Sequence, residues 1–198
     1  EAGRLQAVVA NSGNANACTG EQGLRDAAEM ARLAAEALGI SPELVGVAST
    51  GVIGVPLPMD RVAAGIAAAA AALSEEGGDD AALAIMTTDT FPKQTAVQVT
   101  IGGATVTIGA MAKGSGMIHP NMATIISVLT TDAAISVPAL RQALREAAAV
   151  SYNRISVDGD TSVCDKVLIL ASGLAGNDVI EPDTEEYARF TAALKSLC

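Results

Sequence analysis

The residues of this chain that could do chemistry gather around one peptide bond. Lys113-Gly114-Ser115-Gly116-Met117-Ile118 runs into His119-Pro120-Asn121-Met122-Ala123-Thr124, and an apolar run from Ile125 to Leu129 follows. A break between Ala123 and Thr124 would leave threonine at a new N-terminus. Such a residue carries a hydroxyl nucleophile and, on the same backbone unit, its own base, an α-amine with an ordinary pKa of about 7.7. No distant imidazole is then needed, which suits a chain whose one histidine is His119. Taken singly, each residue also has a plainer reading. Thr124 is a β-branched strand former, Lys113 a surface charge, His119 a loop residue, and Thr50-Gly51 a turn in which glycine supplies a positive φ.

Other chemistries fail on spacing. The phosphate loop GxxxxGK[ST] is absent, because Lys113 precedes its glycine and serine. A dinucleotide fingerprint built on Gly114 and Gly116 meets His119 where the third glycine should stand. A nucleophile elbow around Ser115 would need glycine at Lys113 and Met117. Gly114-Ser115-Gly116 beside Lys113 could still form a backbone nest for an anion. Asp158 and Asp160 share one loop, where they could hold a divalent cation or act as solvated or capping groups. Cys18, Cys164 and Cys198 show no CxxC pair, and with one histidine they complete no zinc set. They read as free thiols of a reducing compartment, hence a cytoplasmic protein.

Composition narrows the field further. In 198 residues half are hydrophobic but only 2% aromatic, so the core must be packed with Ala, Val, Ile and Leu. A net charge of −10 argues against a nucleic-acid surface or docking on anionic lipid. The longest nearly apolar stretch, Val62 to Leu73, is too short to span a bilayer. The chain opens on Glu1 without a signal-peptide pattern and reads as a piece of something longer.

The elements that must position these residues alternate between strand and helix. Leu5 to Ala10 reads as a buried strand, followed by a polar loop from Asn11 to Asn16. Thr19 with Gln22 predicts a capping box on a helix that carries Leu24, Met30, Leu33 and Leu38 and that Gly39 ends. Leu44 to Ser49 is a second strand, running into a turn over Ser49 to Gly54. Asp60 is expected to cap an Ala-rich helix to Leu73, with 75–80 as a solvated acidic loop and 81–86 as a short helix. Thr95 to Ile108 alternates like a hairpin around Gly102-Gly103. Ser136 caps a helix to about Ser151, Lys166 to Ala171 is a strand, and Asp183 with Glu186 opens a last helix with a Tyr187, Phe190, Leu194 stripe. The pattern predicts an α/β sandwich.

As a set, these segments resemble the ornithine acetyltransferase family, the bifunctional glutamate N-acetyltransferases of the cyclic arginine pathway. The resemblance rests on seven ordered motifs. They are 11–20 (NSGNANACTG), 49–54 (STGVIG) with 57–60 (LPMD), 85–89 (IMTTD), 111–117 (MAKGSGM), 120–124 (PNMAT), 129–133 (LTTDA) and 158–162 (DGDTS). One departure is the 161–166 run, Thr-Ser-Val-Cys-Asp-Lys here against the usual Thr-Ser-Thr-Asn-Asp-Thr.

The resemblance implies an αββα sandwich, the fold shared with certain self-processing aminopeptidases. It implies self-cleavage between Ala123 and Thr124, so that 1–123 belongs to an α chain and 124–198 opens a β chain within one α/β domain. Thr124 would be the catalytic nucleophile, taking acetyl from N-acetylornithine and passing it to glutamate. Thr50 and Gly51 would form the oxyanion hole, and Thr87 and Lys113 would contact substrate. The implied assembly is two α and two β chains, with no nucleic acid or membrane partner. No cofactor or metal is implied, and acetyl-CoA enters only as a further acetyl donor. Two alternatives stay open: a related amidohydrolase in which water replaces glutamate, and a non-enzymatic anion-binding domain around Lys113.

Overall fold

The structure, a computed structural model, describes residues 3–119 and 125–198. The chain forms two compact units, Glu1–Phe91 and Pro92–Cys198, each of which has the α/β character expected from the sequence.

In the first unit, strands β1 (Ala7–Asn14) and β2 (Val45–Val52) pair in parallel, from Ala7 opposite Val45 to Asn14 opposite Val52. A parallel pair needs a crossover, here helix α1 (Gly20–Leu38), which ends as expected at Gly39 in the left-handed conformation. Helices α2 (Met59–Ala71) and α3 (Gly78–Ala84) follow. Met30, Ala34, Ala35, Val45, Leu57 and Ile66 form the core, a small one that alanines let pack closely. Leu24, expected on the apolar stripe of α1, is instead exposed.

Several expectations for this unit are corrected. Both strands run past their predicted ends, β1 through residues read as a polar loop and β2 through residues read as a turn. Backbone pairing is indifferent to side-chain polarity, so the ladder continues as long as both strands stay in register. The capping box is not made: Thr19 Oγ1 donates to Asn16 Oδ1, and Gln22 bonds Asp26 instead. Pro58, not Asp60, takes the N-cap position of α2. Helix α3 begins inside the acidic run, where Asp79 and Asp80 favour its N-terminal dipole, and it stops at Ala84.

In the second unit, strands β3 (Lys93–Ile101), β4 (Ala104–Lys113), β5 (Ile126–Thr131) and β6 (Lys166–Ala171) make one sheet in that order. The first two contacts are antiparallel and the last is parallel. Gly102 and Gly103, with φ of 57° and 85°, close the predicted hairpin in the conformation a tight two-residue turn demands. Strand β4 outruns its predicted end at Ile108: the hairpin register carries it to Ala112 opposite Lys93, and β5 pairs with 108–113 on its other side.

Helix α4 (Val137–Val150) starts where predicted, with Ser136 Oγ accepting from the Ala139 N–H. Helix α5 (Glu185–Leu197) is capped by Thr184 rather than Asp183, which sits at φ 63°. Both helices cover one face of the sheet, where Phe190 and Leu194 of α5 share a core with Ile101, Val106, Ile108 and Leu129. Ala139, Ala143 and Ala147 are wholly buried on α4. Glu146 ties the helices by accepting from Tyr187 Oη (2.7 Å) and Lys195 Nζ (2.8 Å). Those bonds, the lysine's first, bring its carboxyl down to about 2. No helix among the described residues is long and apolar enough to cross a membrane.

Candidate functional site

Strand β2 of the first unit delivers Thr50 and Gly51 to its C-terminal end. Thr50 is 1% exposed, whereas Gly51 lies open to solvent. Gly51 is required on two independent grounds. Its φ of 132° is reserved for glycine, and a Cβ there would stand 2.2 Å from the Gly13 carbonyl oxygen and 2.8 Å from the Asn14 nitrogen. The close approach belongs to the ladder, in which Gly13 is the register partner of Gly51.

The surrounding Asn-rich segment braces this strand end. The Ala15 N–H donates to the Val52 carbonyl, the Gly54 N–H donates to the Ala17 carbonyl, and Asn16 Nδ2 donates to the Gly23 carbonyl. Ser12 Oγ donates to the Ala84 carbonyl at 2.7 Å, fastening β1 to the end of α3 three residues before Thr87. Thr87 is exposed, and its N–H donates to Asp89 Oδ2. A cleft of about 470 Å³ along β1 and α2, with Arg61 as its cation, is lined by neither Thr50 nor Thr87.

In the second unit Lys113 ends β4, opposite Ile126 of β5. The plainer reading of this residue as a surface charge fails, because it is 2% exposed. Burial of an ammonium is costly without compensation and is characteristic of sites that bind or react. Its charge reaches two groups on the 157–166 loop, favouring the ionised forms of Asp165 and Cys164. Burial outweighs it in both. The Asp165 carboxyl is pushed up by desolvation, against the pull of the Ile125 N–H and Lys113, and the Cys164 thiol is pushed up for the same first reason.

On sequence, Gly114-Ser115-Gly116 could form a nest for an external anion. The backbone N–H groups that follow the glycines already hold an anion, the chain's own Asp158. Met117 N–H donates to its Oδ2 at 2.6 Å and Ile118 N–H to its Oδ1 at 3.0 Å. These bonds, the Met117 one first, hold the Asp158 carboxyl below the usual carboxylate range. Met117 adopts φ 57°, unusual for a side-chain-bearing residue. A Cβ on Gly116 would touch Asp158 Oδ2 at 3.4 Å.

Asp158 was read as a cation ligand or a solvated or capping group, and Asp165 was noted only within the departing 161–166 run. Their pairing with residues some forty positions away has no local signal. Among the described residues, no group of three or more His, Cys, Asp or Glu is arranged to hold a metal ion. Thr50, Gly51 and Thr87 thus belong to the first unit and Lys113 to the second. Ala123 and Thr124 lie outside the described residues.

Residues 1–198 match the ArgJ family along their whole length. The chain belongs to the ArgJ family. It is 75% identical over 197 residues to the "Arginine biosynthesis bifunctional protein ArgJ" of Symbiobacterium thermophilum, covering 100% of this chain and 49% of that protein. With the protein of the same name from Bacillus licheniformis the identity is 54% over 194 residues, 98% of this chain and 47% of that one. The chain therefore spans about half the length of the curated relatives it matches.

Two solved structures of ArgJ type resemble the fold. A Bacillus halodurans arginine biosynthesis bifunctional protein gives a TM-score of 0.53 at 49% identity, over 58% of this chain and 60% of that one. A Mycobacterium tuberculosis ornithine acetyltransferase complexed with ornithine gives 0.50 at 41% identity, over 58% and 61%.

Proposed function

We propose that this chain, within a protein of its relatives' length, is part of a self-processing glutamate N-acetyltransferase of arginine biosynthesis. The observation that carries the reading is the 75% identity to an ArgJ bifunctional protein, in an alignment that covers the whole chain, the Ala123-Thr124 junction included. The resemblance to an ornithine acetyltransferase solved with ornithine supports the substrate class.

In self-cleavage the Thr124 hydroxyl attacks the Ala123 carbonyl carbon, and the peptide C–N bond breaks to leave an ester and a free Thr124 amine. Water then hydrolyses the ester, giving an Ala123 carboxylate and a Thr124 N-terminus. In turnover the Thr124 amine takes the hydroxyl proton as the oxygen attacks the acetyl carbonyl of N-acetylornithine. The amide C–N bond breaks and ornithine leaves with that proton. The amine of glutamate attacks the acetyl-threonine ester, and the threonine oxygen departs and is reprotonated.

In this reading Thr50 and Gly51 supply the oxyanion hole, where one donor typically contributes roughly 10²–10³ in rate. The rigid, glycine-dependent strand end at Gly51 suits that task. Buried Lys113 is the cation for a substrate carboxylate, and Thr87 is a further substrate contact. The α and β chains stay associated, as two of each, in the cytoplasm. No cofactor takes part.

Intact-mass measurement on the full-length protein tests the first step. The wild type should resolve into two chains, the second beginning at Thr124, and Thr124→Ala should stay whole. A wild type that remains one chain sinks the mechanism. Acetyl appearing on glutamate, rather than as free acetate, separates transfer from hydrolysis.

A further inference from the structure

One loop touches the backbone on both sides of residues 119–124. Residue 158, near its start, holds the N–H groups of Met117 and Ile118 with its two carboxylate oxygens. Residue 165, near its end, accepts from the Ile125 N–H at 2.9 Å. Backbone bonds reinforce each contact: the Val157 N–H donates to the Ile118 carbonyl at 2.8 Å, and the Lys166 N–H to the Ile125 carbonyl at 2.9 Å.

The same two positions are pinned from below by apolar contact. Ile118 and Ile125 are 3% and 4% exposed and share one cluster with Ala148 and Tyr152. The Tyr152 hydroxyl is fixed in turn by Ser127 Oγ at 2.9 Å. Two points of the chain separated by six residues are therefore anchored to one loop and one cluster. Self-cleavage demands such anchoring, because a hydroxyl must approach the carbonyl of the preceding residue along a narrow path. A misplacement of about 1 Å can cost 10²-fold in rate.

We propose that Asp158 and Asp165 are positioning residues for self-cleavage, each holding the backbone on one flank of the junction, at Met117-Ile118 and at Ile125. This rests on the reading of Thr124 as the self-cleaving residue. The two differ in what they can lose. Asp158 uses both oxygens on two successive N–H groups, so a carboxamide, with one acceptor oxygen, preserves at most part of the clamp. Asp165 holds Ile125 through one oxygen, a bond that a carboxamide oxygen can accept, and its further partner Ser162 lies on its own loop.

The experiment follows self-cleavage of the full-length protein over time by intact mass, beside its thermal melting. The variants are Asp158→Ala, Asp158→Asn, Asp165→Ala, Asp165→Asn and Thr124→Ala. Both alanine variants should cut about 10²-fold more slowly than wild type at a temperature where they remain folded. Asp165→Asn should restore most of the rate and Asp158→Asn only part of it. A purely structural role would lower melting without this graded rescue, and that pattern overturns the proposal. So do alanine variants that cut at the wild-type rate. Should an alanine variant not fold, the asparagine pair decides: equal rates for the two overturn it, and a faster Asp165→Asn supports it. A wild type that never cuts removes the underlying reading instead, whereas a wild type that cuts beside an uncut Thr124→Ala leaves that reading standing whatever the aspartate variants do.

Discussion

Beside Thr50 in the first unit, backbone is held by contact: Gly51 lies so close to Gly13 that no side chain fits between them. On either side of residues 119–124 in the second unit, backbone is held by carboxylates, Asp158 on one flank and Asp165 on the other. Steric contact is all-or-nothing and indifferent to pH. A hydrogen-bonded clamp is graded, replaceable in part by an isostere, and titratable. The first would suit the proposed oxyanion hole, which must already be rigid when charge develops. The second would suit the proposed self-cleavage junction, whose covalent connectivity changes on cutting.

The comparison breaks most sharply at Gly51. Gly51→Ala forces a side chain into φ 132° and onto backbone atoms that cannot swing aside. Left-handed strain and overpacking together make the expected cost about 3 kcal/mol. Denaturant midpoints of full-length wild type and variant measure it, and a loss under about 1 kcal/mol would show that the Gly13 contact relaxes.

A smaller effect sharpens the difference between the two carboxylates. Asp158 has a lowered carboxyl pKa, so its contribution is present above the ordinary carboxylate pKa and fades as pH falls through the lowered one. Asp165 has a raised pKa, so its contribution is complete below the ordinary value and is lost as pH rises through the raised one. Asp158→Asn should therefore melt below wild type at pH 7, with the gap closing in acid. Asp165→Asn should melt level with or above wild type at pH 7. Melting curves across that range that move both variants in the same direction would contradict the assignment.

The smallest change concerns the support under the clamp. Tyr152→Phe removes the bond to Ser127, whose hydroxyl keeps the Met111 carbonyl as a partner. About 1 kcal/mol of stability should go. Because ring packing under Ile118 and Ile125 survives, self-cleavage should proceed at close to the wild-type rate.

Much of the scaffold was legible wherever local chemistry decides it. Strand β6 falls on the predicted residues because Lys166 to Ala171 is a short apolar run between loop signals. Gly39 and Ser136 mark helix ends through their own conformation and hydroxyl. The misread boundaries share one cause. Whether residues 11–14 extend a strand depends on β2, and whether residues 109–113 do depends on pairing with both β3 and β5. The candidate site divides in the same way. Thr50, Gly51, Thr87 and Lys113 were singled out through motifs, whereas Asp158 and Asp165 act through partners about forty residues away.

By itself the sequence determined the α/β class, most of the element order, the alanine-rich character of the core and the motifs that place the chain in the ArgJ family. These follow from periodicity, caps, turn glycines and ordered residue strings, all of which act over a few positions. Tertiary structure alone decided that Lys113 is buried, that Gly51 cannot carry a side chain, and that Asp158 and Asp165 hold the two flanks of residues 119–124. Each of those depends on the approach of segments distant in the chain, and burial and hydrogen bonding are properties of that approach rather than of the residues alone.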